Sequence, residues 1–505
     1  MREFSINYSE ALKVGLRPES EADRNIPFFS ALSGMKPTGY GLVAIPAVAT
    51  TAVITALVSW PHPQLFQGKS KSLLADATAL YTVNTSTWAK TAVTLFNPDD
   101  SGDAATITSG GPWHFVDFFD TYVLLNGTTT VFHNNRRIAL GQSDRTYAQD
   151  TVGISTGCDF RGIAVFGGFS SYWSSEWQSF WDSWKAQASP GLVGLLNEGV
   201  NFVAWSSIGG GDMLWPITYA QAISGLDPTA GCDESLPFLF EMMKSGQAGF
   251  MPMPFQGTVR ALKALEKGIV VYCDGGIGFL YPVTVGDLPT FGYRTISSIG
   301  IMNRGAVAGD EQQHVYVDQF GSLCRLTGDL QVTRAYQELF DSFDSTVKQV
   351  AVCWSPTLRE FHISDGVTSY VFTETGLAAQ NQRLTSIVCV NGVEQGVAAA
   401  ASTQSTLAAT TNTFDCGNRG IKQLAFVELG YTGLSNLVVT PYYRNSGTSW
   451  TAGSAITANA EGVAYLGLSG VDFRLGISAT TSANAKLDSI VVKYKQSDKR
   501  FIRGL

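Results

Sequence analysis

The sequence predicts an all-β protein, built as a β-propeller of about seven blades with an N-terminal arm and a small C-terminal β-sandwich. One observation is a recurring turn placed between two apolar or β-branched runs, which is typical of a tight hairpin because Gly, Asn and Asp tolerate positive φ. These turns are Asn126-Gly127, Asp274-Gly275, Gly321 and Asp365-Gly366. A second observation is their spacing, since Gly321 follows Gly275 by 46 residues and Gly366 follows Gly321 by 45. A period near ~45 residues with several strands per unit is that of propeller blades.

Length and composition agree with a large β protein. The chain has 505 residues, more than one compact core usually holds, so a propeller with appendages is favoured over a single sandwich. Charged residues make up 15% of it, hydrophobic residues 45%, and glycines number 52, which suits many short strands joined by tight turns. The net charge of -8 argues against a protein that grips nucleic acid, because phosphate contacts need clustered Lys and Arg.

Residues 1–45 are polar, charged and rich in turn formers, and they predict an extended arm that orders against a partner. Within the arm, Arg17, Arg24, Phe28 and Phe29 are the candidate subunit contacts. The arm runs into an uncharged stretch, residues 41–60, of nearly the length of a membrane span. Its β-branched bias and the prolines in and after it favour buried strands, so no membrane span is expected.

Residues 46–391 contain the candidate blades, interrupted by one Trp-rich helical insertion near residues 172–186. Four tryptophans in this insertion recur at intervals of four, four and three residues and therefore share one helical face: Trp173, Trp177, Trp181 and Trp184. Two interpretations stay open, a helix packed on its own propeller and a docking surface for a neighbouring subunit.

Residues 392–413 are small and polar and predict a linker, and residues 414–505 alternate cleanly and predict the β-sandwich followed by a basic tail. In the tail, Arg500 and Arg503 are further candidate contacts, because they could pair with acidic loops of a neighbouring copy. A frayed terminus is the alternative.

Catalytic motifs are missing from the sequence. The seven cysteines are scattered singly and predict reduced, buried thiols of a protein made in a cytoplasm. The five histidines form no metal-ligand spacing, and the glycine patches lack the Lys-Ser/Thr of a phosphate loop. We therefore expect no catalytic residue, no metal and no cofactor.

Five segments follow one another along the chain: LRPESEADRNIPFFSALSGMKPTGYGLVAIPAV, PHPQLFQG, WSSIGGGDM, ISSIGIMNRGAVAGDEQQHVYVDQFGSLCRL and SIVVKYKQSDKRFIRGL. In their order and style they resemble β-propeller tail proteins of tailed bacteriophages, in particular the ring-forming hub or nozzle proteins. The similarity covers most of the chain, and no single motif in it is diagnostic. The resemblance implies one propeller per chain in a cyclic ring around a DNA channel, and it carries no catalytic residue to transfer.

The sequence therefore predicts a virion structural protein, made in the host bacterial cytoplasm and located in the tail or head-to-tail region. Its expected partners are copies of itself in a homo-oligomeric ring, a hexamer being the expected form, together with adaptor or portal-side and other tail proteins. DNA would pass through the channel without specific binding, since an acidic lumen repels phosphates. The alternatives are a receptor- or glycan-binding propeller at the tail tip and, third, a glycan-cleaving propeller enzyme.

Overall fold

The computed structural model describes residues 3–17, 28–53, 63–68, 71–97, 103–108, 110–118, 121–133, 146–149, 154–169, 201–206, 249–285, 288–336, 350–365, 368–398, 406–416 and 420–496. These residues divide into two compact units. Unit 1 is formed by Met1–Val53, Ser355–Leu384 and Ala398–Leu505, and unit 2 by Ile54–Trp354 and Thr385–Val397.

The described residues are almost entirely β. The N-terminal part contains β1 (Glu3–Asn7), the helix α1 (Ser9–Val14), β2 (Phe29–Ser33), β3 (Met35–Thr38), β4 (Gly41–Ala44) and β5 (Ala49–Val53). The middle contains β6 (Gln64–Gln67), β7 (Ser72–Ala75), β8 (Leu80–Val83), β9 (Lys90–Ala92), β10 (Leu95–Phe96), β11 (His114–Phe118), β12 (Thr121–Leu125), β13 (Thr130–His133), β14 (Thr146–Gln149), β15 (Ile154–Phe160), β16 (Ile163–Phe169), β17 (Phe202–Trp205), β18 (Gly249–Pro252), β19 (Val259–Leu265), β20 (Gly268–Cys273), β21 (Ile277–Val285), β22 (Leu288–Ser297), β23 (Val307–Gly309), β24 (Gln313–Val317), β25 (Leu323–Thr327) and β26 (Val332–Tyr336). The C-terminal part contains β27 (Ala351–Ser355), β28 (Glu360–Ser364), β29 (Ser369–Phe372), β30 (Leu377–Ala379), β31 (Leu384–Val390), β32 (Val393–Ala398), β33 (Thr406–Thr411), β34 (Lys422–Arg444), β35 (Thr451–Ala452), β36 (Ile456–Thr457), β37 (Val463–Gly470) and β38 (Asp472–Gln496).

Unit 2 is a series of small sheets that follow one another along the chain, and within them every strand pair is antiparallel except β10 with β14. Four of its sheets have four strands each, β6–β9, β15–β18, β19–β22 and β23–β26, and a fifth has the order β10-β14-β13-β12-β11. Successive sheets share hydrophobic clusters: Leu73 and Leu124 belong to one, Val165 and Val259 to a second, and Val270 and Leu326 to a third. Four-stranded meanders that bury their faces only on the next meander are the construction of a β-propeller. The predicted all-β, propeller-type fold is therefore confirmed.

Several of the turns in this fold are stabilised by the side chain of an Asn or Asp residue. Between the second and third strands of several meanders an Asn or Asp oxygen accepts the backbone N–H groups of the following residues, which stabilises the turn. Asn126 Oδ1 accepts from Thr128 and Thr129 at 2.9 and 2.6 Å. The corresponding positions in other meanders are Asp76, Asp318 and Asp365. The Gly-containing hairpin turns predicted from the sequence are confirmed at Gly127, at Gly275 and at Gly321.

Unit 1 is built around one large sheet, in which β28-β29-β30-β2-β33-β38-β34-β35 follow one another. The longest strand pair in this sheet is an antiparallel ribbon of β34 and β38, which pair from Lys422↔Gln496 to Arg444↔Asp472. Four register shifts interrupt this pairing, and such bulges increase the twist of a ribbon, which lets it curl over a core. The core includes Leu424, Val439 and Phe473, all fully buried.

The segment predicted as an N-terminal arm contributes strands to this sheet. The strand β1 pairs with β38 from Glu3↔Lys495 to Asn7↔Val491, and β2 pairs with β33. Tyr8 and Leu12 are fully buried in the core of unit 1. The described residues of the predicted arm are thus part of unit 1 itself, because β1 and β2 pair with strands from the other end of the chain.

The C-terminal half also differs from its predicted boundaries. Residues 392–413, predicted as a linker, contain the strands β32 and β33. Residues 414–505, predicted as a small separate β-sandwich, contribute β34–β38 to the same sheet as the N-terminal strands. Alternation of apolar residues is the same in a sandwich and in a long ribbon, and only the distant partner strands distinguish the two.

Candidate interaction surface

Three of the candidate contact residues predicted from the sequence lie in the described part of the chain. The Arg17 side chain is exposed, and its guanidinium lies 5.9 Å from the centroid of the Phe28 ring. Phe28 and Phe29 are only 1% and 0% exposed. Their side chains therefore pack inside unit 1 and not on a neighbouring subunit, and Phe29 belongs to the hydrophobic core of that unit.

The remaining candidates lie outside the described residues and stay predictions. They are Arg24, the Trp-rich helix near residues 172–186 with Trp173, Trp177, Trp181 and Trp184, and the basic tail with Arg500 and Arg503.

One face of the large sheet of unit 1 presents aromatic and basic side chains to solvent. Residues that are paired across neighbouring strands point to the same face of a sheet. Tyr465 of β37 pairs with Phe426 of β34, Phe426 pairs with Lys493 of β38, and Lys493 pairs with Ser5 of β1. We call these four residues the outer row. The rings of Phe426 and Tyr465 lie 5.8 Å apart, and Tyr465 is 67% exposed.

The outer row lies at a sheet edge. Within the described residues β37 pairs only with β34, so its second side carries no hydrogen-bonded strand there. An open strand edge beside a large exposed aromatic ring is a feature of surfaces that pair with another chain.

At the other end of the ribbon, a cluster of side chains fixes the loop after β34. Arg444 Nε donates to Asp472 Oδ2 at 2.8 Å. The guanidinium carbons of Arg444 and Arg474 lie 4.8 and 4.5 Å from the centroid of the Trp450 ring. Two cations on one indole stabilise the loop through cation–π attraction.

A buried polar network connects the β3–β4 hairpin to β28. Lys36 forms an ion pair with Glu360, and the two residues are 7% and 1% exposed. His362 lies on the same face of β28 as Glu360, with its Nε2 atom 3.4 Å from Glu360 Oε1. Gln380 Nε2 donates to His362 Nδ1 at 2.9 Å, which leaves the Nε2 proton of His362 to face the carboxylate.

The ionisation of Glu360 follows from these neighbours. Burial by itself raises the pKa of a carboxyl, but the contact with His362 and the charge of Lys36 outweigh burial and hold the pKa of Glu360 below its usual value. The network is therefore a buried ion pair with a histidine beside it, and it links the β3–β4 hairpin to β28 within unit 1.

No group of three or more His, Cys, Asp or Glu side chains in the part of the chain that the structure describes could hold a metal ion. Nor does any helix among those residues have the length and apolarity needed to cross a membrane.

Comparisons with known proteins give little beyond the fold. No family model and no curated protein matches the chain. Among solved structures, the extracellular domain of the putative hybrid two component system BT4673 from B. thetaiotaomicron is 8% identical, with 83% of this chain and 47% of that chain covered and a TM-score of 0.36. AztD from Citrobacter koseri is 10% identical, with 68% and 90% covered and a TM-score of 0.29. The chain thus spans about half the length of the first of these structures, and similarities this weak carry no functional argument.

Sequence reasoning missed both the outer row and the Lys36–Glu360–His362 network. Lys36 and Glu360 stand 324 positions apart, and no local pattern reports such a pairing. A usable signal existed for Glu360 and His362, because two polar residues at i and i+2 within REFHISD interrupt the face of an otherwise buried strand.

Proposed function

We propose that this chain is a virion structural protein of a tailed phage, which assembles into a ring in the tail or head-to-tail region around the channel for genome ejection. The observation that carries the proposal is the outer row, with the 67% exposed Tyr465 on an edge strand of a large curled sheet. The resemblance of the sequence to hub or nozzle proteins supports the same role.

The occupant that we propose for this surface is a second copy of the chain. Lys493 and Lys495 lie on β38 beside the aromatic pair, whereas the chain as a whole carries a net charge of -8. The exposed Glu428 lies on the same face, two residues from Phe426, so charges of both signs flank the aromatic pair and can complement those of a second copy. Aromatic residues at the centre and charges at the rim are the usual composition of a protein interface.

The expected role of the ring is mechanical. Adaptor or portal-side proteins and other tail proteins would contact its two faces, and DNA would pass through without specific binding. The net negative charge of the chain supports passage of DNA without binding, because a lysine-lined channel would retain DNA by counterion release.

The proposal is tested on the purified full chain by mass measurement in solution and by electron microscopy of negatively stained particles. We expect closed rings of the wild type, and we expect Tyr465→Arg to shift the equilibrium towards monomers by tenfold or more, about 1.4 kcal/mol, as for an anchor residue of an interface.

The matched control is Tyr40→Arg. Tyr40 is 92% exposed but lies in the β3–β4 turn, away from the sheet edge, so its replacement should leave the rings intact. A wild-type chain that stays monomeric up to high concentration would exclude the ring. Equal effects of the two substitutions would exclude the outer row as the contact.

A further inference from the structure

At one end of the β34–β38 ribbon, the sheet of unit 1 is a row of four strands in the order β1-β38-β34-β37. All three pairings in this row are antiparallel, so β1 and β37 run in opposite directions. Among the described residues β1 pairs only with β38, and β37 pairs only with β34. Each end of the row therefore presents a strand edge without a hydrogen-bonded neighbour in that part of the chain.

The two edge strands carry few of the features that usually prevent a strand from pairing with another chain. Prolines, charges and very short strands are common protections of an edge. Neither β1 nor β37 contains proline, and the eight residues of β37, VAYLGLSG, contain no charge. The strands β35 and β36, which also flank β34, have only two residues each. The edge of β37 is thus the longer surface for an added strand on this side of β34.

On the core side of the sheet, the row is apolar at both ends. Phe4 of β1 pairs with Tyr494, and their rings stack with centroids 5.4 Å apart. Tyr494 pairs with the fully buried Leu424, which in turn pairs with Leu468 of β37. Phe4 is 38% exposed, and Leu468 is only partly buried. A strand added at either edge would remove some of this apolar surface from water, which is favourable.

The outer row crosses the opposite face of the same four strands. It begins at Ser5 of β1, which is small and exposed, and it ends at Tyr465 of β37, which is 67% exposed. Side chains directly opposite each other on neighbouring strands come close together. A small side chain at one edge and a large ring at the other therefore fit side by side when the two edges meet.

We propose that β1 of one copy of the chain adds to β37 of the next copy, so that their four-stranded rows form one continuous antiparallel sheet. This inference rests on the proposed function, because it specifies how neighbouring copies of the ring pair. Since β1 and β37 run in opposite directions, the next copy joins in the same orientation as the first, and the junction is antiparallel like the pairs within the row. Backbone hydrogen bonds of the added strand supply affinity, and alternate side chains supply specificity.

The contact is head-to-tail, the type that forms closed rings or filaments. The alternative is a two-fold contact between two copies of β37. Such a contact ends at a dimer and leaves the β1 edge of both copies unused. A head-to-tail contact instead uses one edge of each kind at every junction.

The test places one cysteine on each edge of the full chain, Ser5→Cys and Ser469→Cys. Both serines are exposed, and Ser469 pairs with Gln423, which pairs with Lys495 on the outer face. Continuation of the rows makes the two cysteines diagonal neighbours across the junction, roughly 7–8 Å apart. A short bismaleimide joins thiols at this separation, and it tolerates a shift in register at the bulge around Gly467, whose φ is +60°.

We expect the double variant to give a ladder of covalent dimers, trimers and larger species on denaturing gels. The wild type, treated in the same way with its native cysteines, should give none. An equimolar mixture of the two single variants should stop at dimers, because each copy then has one reactive edge.

The matched control combines Ser5→Cys with Ser446→Cys. Ser446 is also exposed, but it lies in the loop after β34, at the far end of the ribbon, so this variant should give no ladder. An equal ladder from this control would overturn the proposal. Covalent dimers from either single variant alone would also overturn it, because they indicate a two-fold contact.

Electron microscopy of the untreated double variant distinguishes failure of the strand contact from failure of the proposed function. Rings without a ladder would overturn the contact between β1 and β37 and leave the ring intact. Monomers at every concentration would overturn both. A ladder together with filaments instead of rings would support the contact and exclude the closed ring.

Discussion

The Lys36 ammonium and the Glu360 carboxylate form an ion pair inside unit 1, between residues 324 positions apart in the chain. Loss of one member of a buried pair leaves the other charge uncompensated, which costs about 3–5 kcal/mol. We therefore expect Lys36→Met to lower the free energy of unfolding by that amount in urea titrations. Lys36→Met combined with Glu360→Gln should cost less than Lys36→Met alone, since no orphaned charge remains.

An exposed ion pair provides the control for this prediction. Lys13 Nζ lies 2.8 Å from Glu10 Oε1, and the two side chains are 41% and 80% exposed. Lys13→Met should change the unfolding free energy by less than about 1 kcal/mol. If Lys13→Met and Lys36→Met lower the free energy of unfolding by similar amounts, burial does not make the Lys36–Glu360 ion pair more costly to break.

Gly34 is predicted to be irreplaceable in unit 1. Its φ is +88°, in the left-handed region, and a Cβ at this position would collide with the backbone carbonyl of Thr406. We expect Gly34→Ala to cost well over 1 kcal/mol, since both the backbone conformation and the packing oppose it.

Gly447 has a similar φ of +80° with open space around its Cβ position, and thus isolates the backbone effect. Gly447→Ala should cost only about 1 kcal/mol. Thermal melts of both variants beside the wild type measure the difference. If the two melting temperatures fall equally, packing against Thr406 contributes nothing.

His314 should make the protein sensitive to mild acid. Its Nδ1 atom lies 2.9 Å from Tyr272 Oη and its Nε2 atom 3.0 Å from the carbonyl oxygen of Ala264. Burial lowers its pKa to about 4, whereas an unfolded histidine has a pKa near ~6.5. Below the unfolded pKa the unfolded state therefore binds more protons than the folded state, and stability falls as the pH falls.

The expected loss from His314 between pH 6.5 and pH 4 is about 3 kcal/mol, at 1.36 kcal/mol per unit of pKa difference. Urea titrations at pH 7, 6, 5 and 4 measure this slope, and His314→Gln should flatten it. His114, with a pKa of about 3, acts in the same direction. Identical slopes for His314→Gln and the wild type would contradict the assignment of a neutral, buried imidazole.

The local part of this fold could be predicted from the sequence, whereas the long-range part could not. The hairpins at Gly127 and Gly321 were predictable because positive φ and Asx hydrogen bonding are properties of neighbouring residues. Pairing of β1 with β38 joins positions that are nearly 490 residues apart, and alternation within a strand does not identify its partner.

The residues of the candidate surface also come together through long-range pairing, which the sequence does not reveal. Tyr465 and Phe426 are adjacent only through the register of β34 and β37, so neither was predicted as a contact. Phe28 and Phe29 were predicted as contacts because they end the charged N-terminal segment, but both side chains are buried within unit 1. The Trp-rich helix and the basic tail stay predictions.

The pairing of both chain ends in unit 1 has a consequence for biosynthesis. Its strands β1 and β4 are made several hundred residues before β38, to which both pair. At roughly 5–20 residues per second, these strands wait on the order of tens of seconds for their partners. During that interval the apolar face of β2 is uncovered, while the central segment between them already has all the residues of its meanders. Completion of unit 1 thus waits until β38 has been made, and a product of translation stalled before β38 would lack the strand to which β1 and β4 pair.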